Sequence, residues 1–352
     1  MSVYLSERLA GLQAYVPGEQ TADKNLIKLN TNENPYFPSR YAVGSITPEK
    51  LSGLRLYQDP ANTELCAAIA AYYGVDKENV LPANGSDEAL AFCFAAFGGS
   101  GAVFPDVTYG FYKVFAKLFG VNYREIPLKE DFSVDSTKYV GCGGTVFLAN
   151  PNAQTGIYMP LNEIERIVSS NSANIVVIDE AYVDFGGESA VKLCGKYNNL
   201  IVVQTFSKSR SLAGARVGFA IACRDLISDL KRVKYSFNPY SVNGLSASLA
   251  AAAISDVGYF RECTAKIIRT RERLAAEARK LGFSVLPSSA NFLLVKNPKA
   301  TGETMYSELR KRGIIVRHFP EERIKNFVRI TVGTDGQTDT LIRALKQIEA
   351  EL

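Results

Sequence analysis

The 352-residue chain has one histidine, His318. A Ser-His-Asp triad would have to be built on that residue, and a metal site with several histidine ligands is excluded. Acid–base work therefore falls to Lys, Tyr, Asp or Glu. No run of 18 or more apolar residues occurs, so no transmembrane helix is expected. The opening MSVYLSERLAGLQ carries charge and has no apolar centre, which argues against a secretory signal. None of the six cysteines, at 66, 93, 142, 194, 223 and 263, forms a C-x-x-C pair. Most lie in apolar stretches and read as buried, reduced thiols of a cytoplasmic protein, and no metal site is expected. Neither charge sign dominates: 40 basic residues face 36 acidic ones, for a net charge of +4. The two signs are interleaved rather than gathered into a stripe, so nucleic acid is not the expected partner.

What remains is ordinary globular material, 47% apolar and 22% charged, enough for one large domain and a smaller one. Residues 1–29 are mixed and turn-rich, broken at Pro17-Gly18, and read as an N-terminal arm. A polar loop, Leu29 to Pro35, follows. Gly85-Ser86-Asp87-Glu88 ahead of the apolar run Ala89 to Phe97 carries the signature of a helix start. Further on, β-branched runs alternate with helix-length segments: Val146 to Ala149, Ile175 to Ile178, Ile201 to Val203, and then Val217 to Ala222. That alternation predicts buried parallel strands in βαβ units. From about Arg261 a long helix leads into short strands and a terminal helix. The expected architecture is α/β: a large domain, residues 30–245, with a mostly parallel sheet flanked by helices, and a smaller α+β domain, residues 246–352.

In open α/β sheets ligands gather at the carboxyl ends of the strands. Three successive strand ends carry Asn152, Asp179 and Lys208, spaced 27 and 29 residues apart. A βαβ unit takes roughly 30 residues, so the spacing brings an amide, a carboxylate and an amine to one edge. Each alone has a plain structural explanation, as a turn residue, a helix cap or a solvated surface cation. A lysine beside a buried strand end can lose its proton and attack carbonyls, and a carboxylate can pair with a protonated pyridine nitrogen. Pyridoxal phosphate requires both groups and a phosphate cradle. The helix start at Gly85-Ser86-Asp87 offers free backbone N–H groups, Ser207 and Arg216 add a hydroxyl and a cation, and Tyr109 could stack on a ring.

Thr205-Phe206-Ser207-Lys208-Ser209-Arg210-Ser211-Leu212-Ala213-Gly214-Ala215-Arg216 resembles the lysine segment of fold-type-I pyridoxal-phosphate aminotransferases. Asn150-Pro151-Asn152-Ala153-Gln154-Thr155-Gly156 is similar to their N-P-N-x-x-T-G motif, and Asp179-Glu180-Ala181-Tyr182 to their D-E-x-Y. More narrowly, Tyr15-x-Pro17-Gly18, Leu29 to Pro35, Asn84 to Glu88 and Arg329 to Thr334 resemble segments of the histidinol-phosphate aminotransferase family. Seven such segments run in order from residue 15 to residue 334. The resemblance implies pyridoxal 5'-phosphate as cofactor, with Lys208 as the lysine that bonds its aldehyde and shuttles the proton. Asp179 would face the pyridine nitrogen, and Asn152 and Tyr182 the ring phenolate oxygen. Gly85, Ser86, Asp87, Ser207 and Arg216 would form the phosphate corner, and Tyr109 would stack on the ring. Tyr57 would reach the cofactor of a neighbouring subunit, which implies a homodimer with shared sites. Tyr15, Asn30, Arg317 and Arg329 would meet substrate, with Arg329 holding a carboxylate through its guanidinium fork. The implied reaction moves an amino group between histidinol phosphate and 2-oxoglutarate. Aromatic amino acid aminotransferases and threonine-phosphate decarboxylases share these motifs and remain alternatives. Two departures stand out: Ala153-Gln154 replaces the commoner Asn-Pro, and Gln58 follows Tyr57 where proline is usual.

Overall fold

The computed structural model describes residues 2, 4–23 and 25–352. The arm ends in a two-residue strand, β1 (Ile27–Lys28). Seven strands then form the main sheet: β2 (Val80–Ala83), β3 (Ala102–Pro105), β4 (Tyr123–Ile126), β5 (Thr145–Ala149), β6 (Val176–Asp179), β7 (Leu200–Thr205) and β8 (Gly218–Ala222). Their spatial order is β2-β8-β7-β6-β5-β3-β4. Only β8 runs against the rest, pairing antiparallel with both β2 and β7. The four expected runs are all strands here, each within a residue or two of its predicted ends.

The apolar runs are continuous because the central strands are buried on both faces. Alternate residues feed two cores. Val146, Leu148, Val176, Ile178, Leu200 and Val202 enter one, whereas Phe147, Val177, Ile201 and Val203 enter the other. On the second face lies the helix Gly85–Phe97, which buries Ala89, Leu90, Cys93 and Phe94.

The C-terminal part is a four-stranded antiparallel sheet of β9 (Ser284–Val285), β10 (Phe292–Lys296), β12 (Arg317–His318) and β13 (Val328–Thr331), in the order β12-β13-β10-β9. Strand β11 (Ile314–Ile315) lies apart from it and pairs parallel with β1. The helix Asp335–Glu351 closes this unit and starts with a capping box between Thr334 and Gln337. The long helix Val257–Lys280 starts at Asp256, whose side chain accepts from the Tyr259 N–H, and carries Arg279 and Lys280 in its last turn. Both ends suit the helix dipole.

The helix Gly244–Ser255 packs Ala250, Ala251, Ala253 and Ile254 into the large core, so the change of core falls beyond 245, in the long helix. At the other end, Leu29 belongs to the small core with Leu274, Leu293 and Leu341, which ties the arm to the C-terminal unit. Among the described residues, no helix is long and apolar enough to cross a membrane.

Candidate active site

Parallel pairing sets the carboxyl ends of β5, β6 and β7 side by side, with Ala149 opposite Asp179 and Asp179 opposite Val203. A cleft of about 90 Å³ opens there, lined by Asp179, Tyr182, Ser207, Lys208, Arg216, Tyr109, Ser86 and Asp87 among others. Lys208 donates from Nζ to the Thr31 carbonyl at 3.1 Å and lies 5.8 Å from the Tyr182 ring centre. Asp179 is 4% exposed and accepts from the Tyr112 hydroxyl at 3.1 Å and from the Ala181 N–H at 3.2 Å. Burial pushes its carboxyl up to about 7, against the opposing pull of those two donors and of Lys208.

One corner of the cleft is made by backbone closeness. Gly85 has φ +78°, and a Cβ there would lie 2.6 Å from Arg216 Nη2. A Cβ on Gly218 would sit 2.3 Å from the Ser86 nitrogen. Only glycine fits either place. Arg216, itself at φ +54°, donates to Asp87 at 3.0 Å and reaches Ser207 Oγ at 3.5 Å. Asp87 also accepts from the Tyr109 hydroxyl at 2.6 Å, which with burial raises that phenol's pKa.

The residues expected to meet substrate do not line this cleft, although Arg329 contacts Ala153, which does. Arg329 Nη1 donates to the Ala153 carbonyl at 2.9 Å and to Gln154 Oε1 at 3.2 Å, and its Nε is buried without a partner. Among the described residues no carboxylate pairs with it, and desolvation lowers its pKa. Asn30 is buried, donates to the Glu19 carbonyl at 2.8 Å and leaves its Oδ1 unpartnered. Tyr15 stacks on Phe111, ring centres 4.3 Å apart. Arg317 is held by the arm, donating to the Val16 and Pro17 carbonyls, and lies like Arg329 against the Phe319 ring.

Asn152 and Tyr57 also stand outside the cleft. Asn152 packs just behind it, with Nδ2 donating to the Val107 carbonyl and Oδ1 accepting from the Gln154 and Thr155 N–H groups. Tyr57 is 82% exposed, stacked on Tyr240 and not brought to this chain's own cleft.

The family profile described as aminotransferase class I and II matches residues 24–345. The chain belongs to this family. Histidinol-phosphate aminotransferase 2 of Rhizobium meliloti is 50% identical over 350 residues, spanning 99% of this chain and all of the relative. The Brachyspira hyodysenteriae histidinol-phosphate aminotransferase is 46% identical over 351 residues, 99% of both chains. The fold is that of fold-type-I aminotransferases. The crystal structure of the Sinorhizobium meliloti histidinol-phosphate aminotransferase in complex with pyridoxal-5'-phosphate superposes with a TM-score of 0.88 at 24% identity, covering 99% of this chain and 100% of that one.

Three further residues enter this aminotransferase's cleft environment without having been singled out from the sequence. Tyr112 is fully buried and donates to Asp179, but it sits in an aromatic helix, Phe111–Phe119, that reads as core. Asn32 donates to the Tyr182 hydroxyl at 3.0 Å from a polar loop, at φ +55°. Gln154 was visible only as a departure from the motif. Glu180, next to Asp179, is equally buried and pushed up to about 7 by desolvation. It accepts from Ser189, the Ala190 N–H and Gln204, which makes it a brace for the strand ends.

Proposed function

We propose that the chain is a pyridoxal-phosphate-dependent transaminase that moves an amino group between histidinol phosphate and 2-oxoglutarate, a step of histidine biosynthesis. The observation that carries the reading is the single cleft in which an amine, a buried carboxylate and a cation-plus-amide corner meet. The residues present fit the cofactor. The Gly85–Gly218 contact holds backbone close where a phosphate needs free N–H groups at a helix start, and Ser207 and Arg216 stand beside it. Bound pyridoxal phosphate supplies an aldehyde and an electron-withdrawing pyridine ring that eases deprotonation of the substrate's α-carbon.

The chain's own residues do the rest. Lys208, anchored on the Thr31 carbonyl, carries the amine that takes and returns a proton. Asp179 presents a carboxylate whose burial is costly until a cation faces it, which makes it a selective partner for a protonated ring nitrogen. The Tyr182 hydroxyl accepts from Asn32 and so keeps its own hydrogen free to donate. Arg329, a half-buried guanidinium without a carboxylate, suits the α-carboxylate of glutamate and the phosphate of histidinol phosphate alike. The names of the full-length relatives support this substrate pair.

The same reading includes a homodimer. Tyr57 is exposed beside Leu54 and Leu56, an apolar surface that a second copy would cover, carrying Tyr57 toward its partner's cleft. Six free cysteines suit a reducing compartment such as the cytoplasm. A half-reaction panel tests the assignment. Histidinol phosphate and glutamate should each convert the bound cofactor's absorbance to that of the amine form. Phenylalanine should do so more slowly, and threonine phosphate should release no carbon dioxide. Failure with histidinol phosphate alongside fast conversion by phenylalanine would move the assignment to aromatic amino acids. Sedimentation should show a dimer, and full turnover by a monomer would refute the shared site.

A further inference from the structure

Arg329 has five N–H donors, and the structure spends them unevenly. Its Nη1 is taken twice, by the Ala153 carbonyl at 2.9 Å and by Gln154 Oε1 at 3.2 Å. Nη2 has one long contact, 3.5 Å to the Asn30 carbonyl, and Nε has none. The plane is further fixed by the Phe292 and Phe319 rings, whose centres lie 5.1 and 5.0 Å from the guanidinium carbon. The fork is thus clamped at one tip, and its Nε–Nη2 edge is the edge left for an anion.

Gln154 is the side chain in that clamp. It is 8% exposed, and its backbone N–H donates to Asn152 Oδ1 at 2.9 Å. One residue therefore ties the Asn152 amide to the Arg329 guanidinium. A proline at 154 could do neither, having no N–H and no side-chain oxygen. A neutral amide is also the right chemistry. It accepts from the cation without cancelling its charge, so the attraction for an incoming oxyanion is kept.

We propose that Gln154 is a positioning residue for substrate: it holds Arg329 by Nη1 so that the Nε–Nη2 edge faces the substrate's carboxylate or phosphate. This rests on the reading of Arg329 as the anion anchor. In the cofactor-loaded enzyme, Gln154→Met keeps the volume and loses the acceptor. KM should rise roughly 3- to 10-fold for both glutamate and histidinol phosphate, the worth of one hydrogen bond, while kcat stays within about twofold. Gln154→Glu should raise both KM values by more, about 30-fold or beyond, because a carboxylate beside Nη1 competes with the substrate for the same cation. Calorimetric binding of glutarate, a dicarboxylate without an amino group, should weaken by matching factors. A merely structural role would lower melting temperature in both variants without this ordering. Arg329→Lys is the control. If it raises KM for both substrates while the Gln154 variants leave KM and glutarate binding unchanged, the inference is overturned and the anchor stands. If Arg329→Lys itself changes neither, anchor and inference fall together.

Discussion

Asp179→Asn should change stability with a sign that depends on pH. Burial raises the Asp179 carboxyl from an ordinary 3.8 to about 7. At 1.36 kcal/mol per unit, that gap of roughly three units is a cost of about 4 kcal/mol wherever the folded protein must keep the group ionised. Below pH ~4 folded and unfolded chains both hold the proton, and the cost vanishes. Between pH ~4 and 7 the unfolded chain gives up its proton first, so stability falls as pH rises, and above 7 the full penalty applies. An asparagine has no charge to desolvate, and its one oxygen can still accept from the Ala181 N–H, while its nitrogen replaces the oxygen that accepts from Tyr112. Its new N–H₂ group would be buried without partners, at about 1–3 kcal/mol. In the cofactor-free protein the variant should thus be more stable than the parent by about 1–3 kcal/mol at pH 8 and less stable by a similar amount at pH 4. Turnover of the loaded enzyme should fall by about 10²–10⁴. Urea denaturation at the two pH values, read beside the rate, checks all three. A stability difference that is the same at both would refute the reasoning, because the cost would then not lie in burying a charge.

Tyr112→Phe removes one donor to that carboxylate, so the pH at which cofactor-free stability begins to level off should move up by about one unit in the same urea series. Lys208→Ala should abolish turnover while the protein still retains cofactor through the phosphate corner on a desalting column, and parental rates in that variant would remove lysine from the chemistry. Gly218→Ala drives a Cβ to 2.3 Å from the Ser86 nitrogen and 2.5 Å from the Gly85 carbonyl carbon, backbone that cannot swing aside. Overpacking of about 1–3 kcal/mol should appear as a lower melting temperature and at least tenfold weaker cofactor binding in an absorbance titration.

The strand ends that carry Asn152, Asp179 and Lys208 were legible because doubly buried parallel strands leave unmistakable apolar runs, and one βαβ unit per strand keeps their ends level. Strands β2 to β4 left weaker marks. β2 contains Pro82, which an edge strand tolerates, and β4 alternates exposed and half-buried residues at the other edge. The reversal of β8 left none, since direction is set by the short connection through Arg216 rather than by the residues of the strand. Within the site, Tyr112 was hidden by its helix of aromatics, and its partner Asp179 is 67 residues away. Asn32 and Gln154 act through contacts with Tyr182 and Arg329 that only the folded chain creates. Tyr57 has its expected role only from the resemblance, because in its own chain it is exposed and stacks on Tyr240, away from the cleft.

The pairing of β1 with β11 also bears on the order of assembly. A ribosome releases Ile27 early and Ile314 close to the end, so the strand that ties the arm down must wait for nearly the whole chain. The large sheet, whose neighbours are mostly near in sequence, can condense first. Meanwhile the segment carrying Leu29, Asn30 and Thr31 hangs free, and with it the carbonyl that anchors Lys208. The cleft is therefore one of the last places to close, so a nascent chain stalled before residue 314 would hold a folded sheet and an unfinished site.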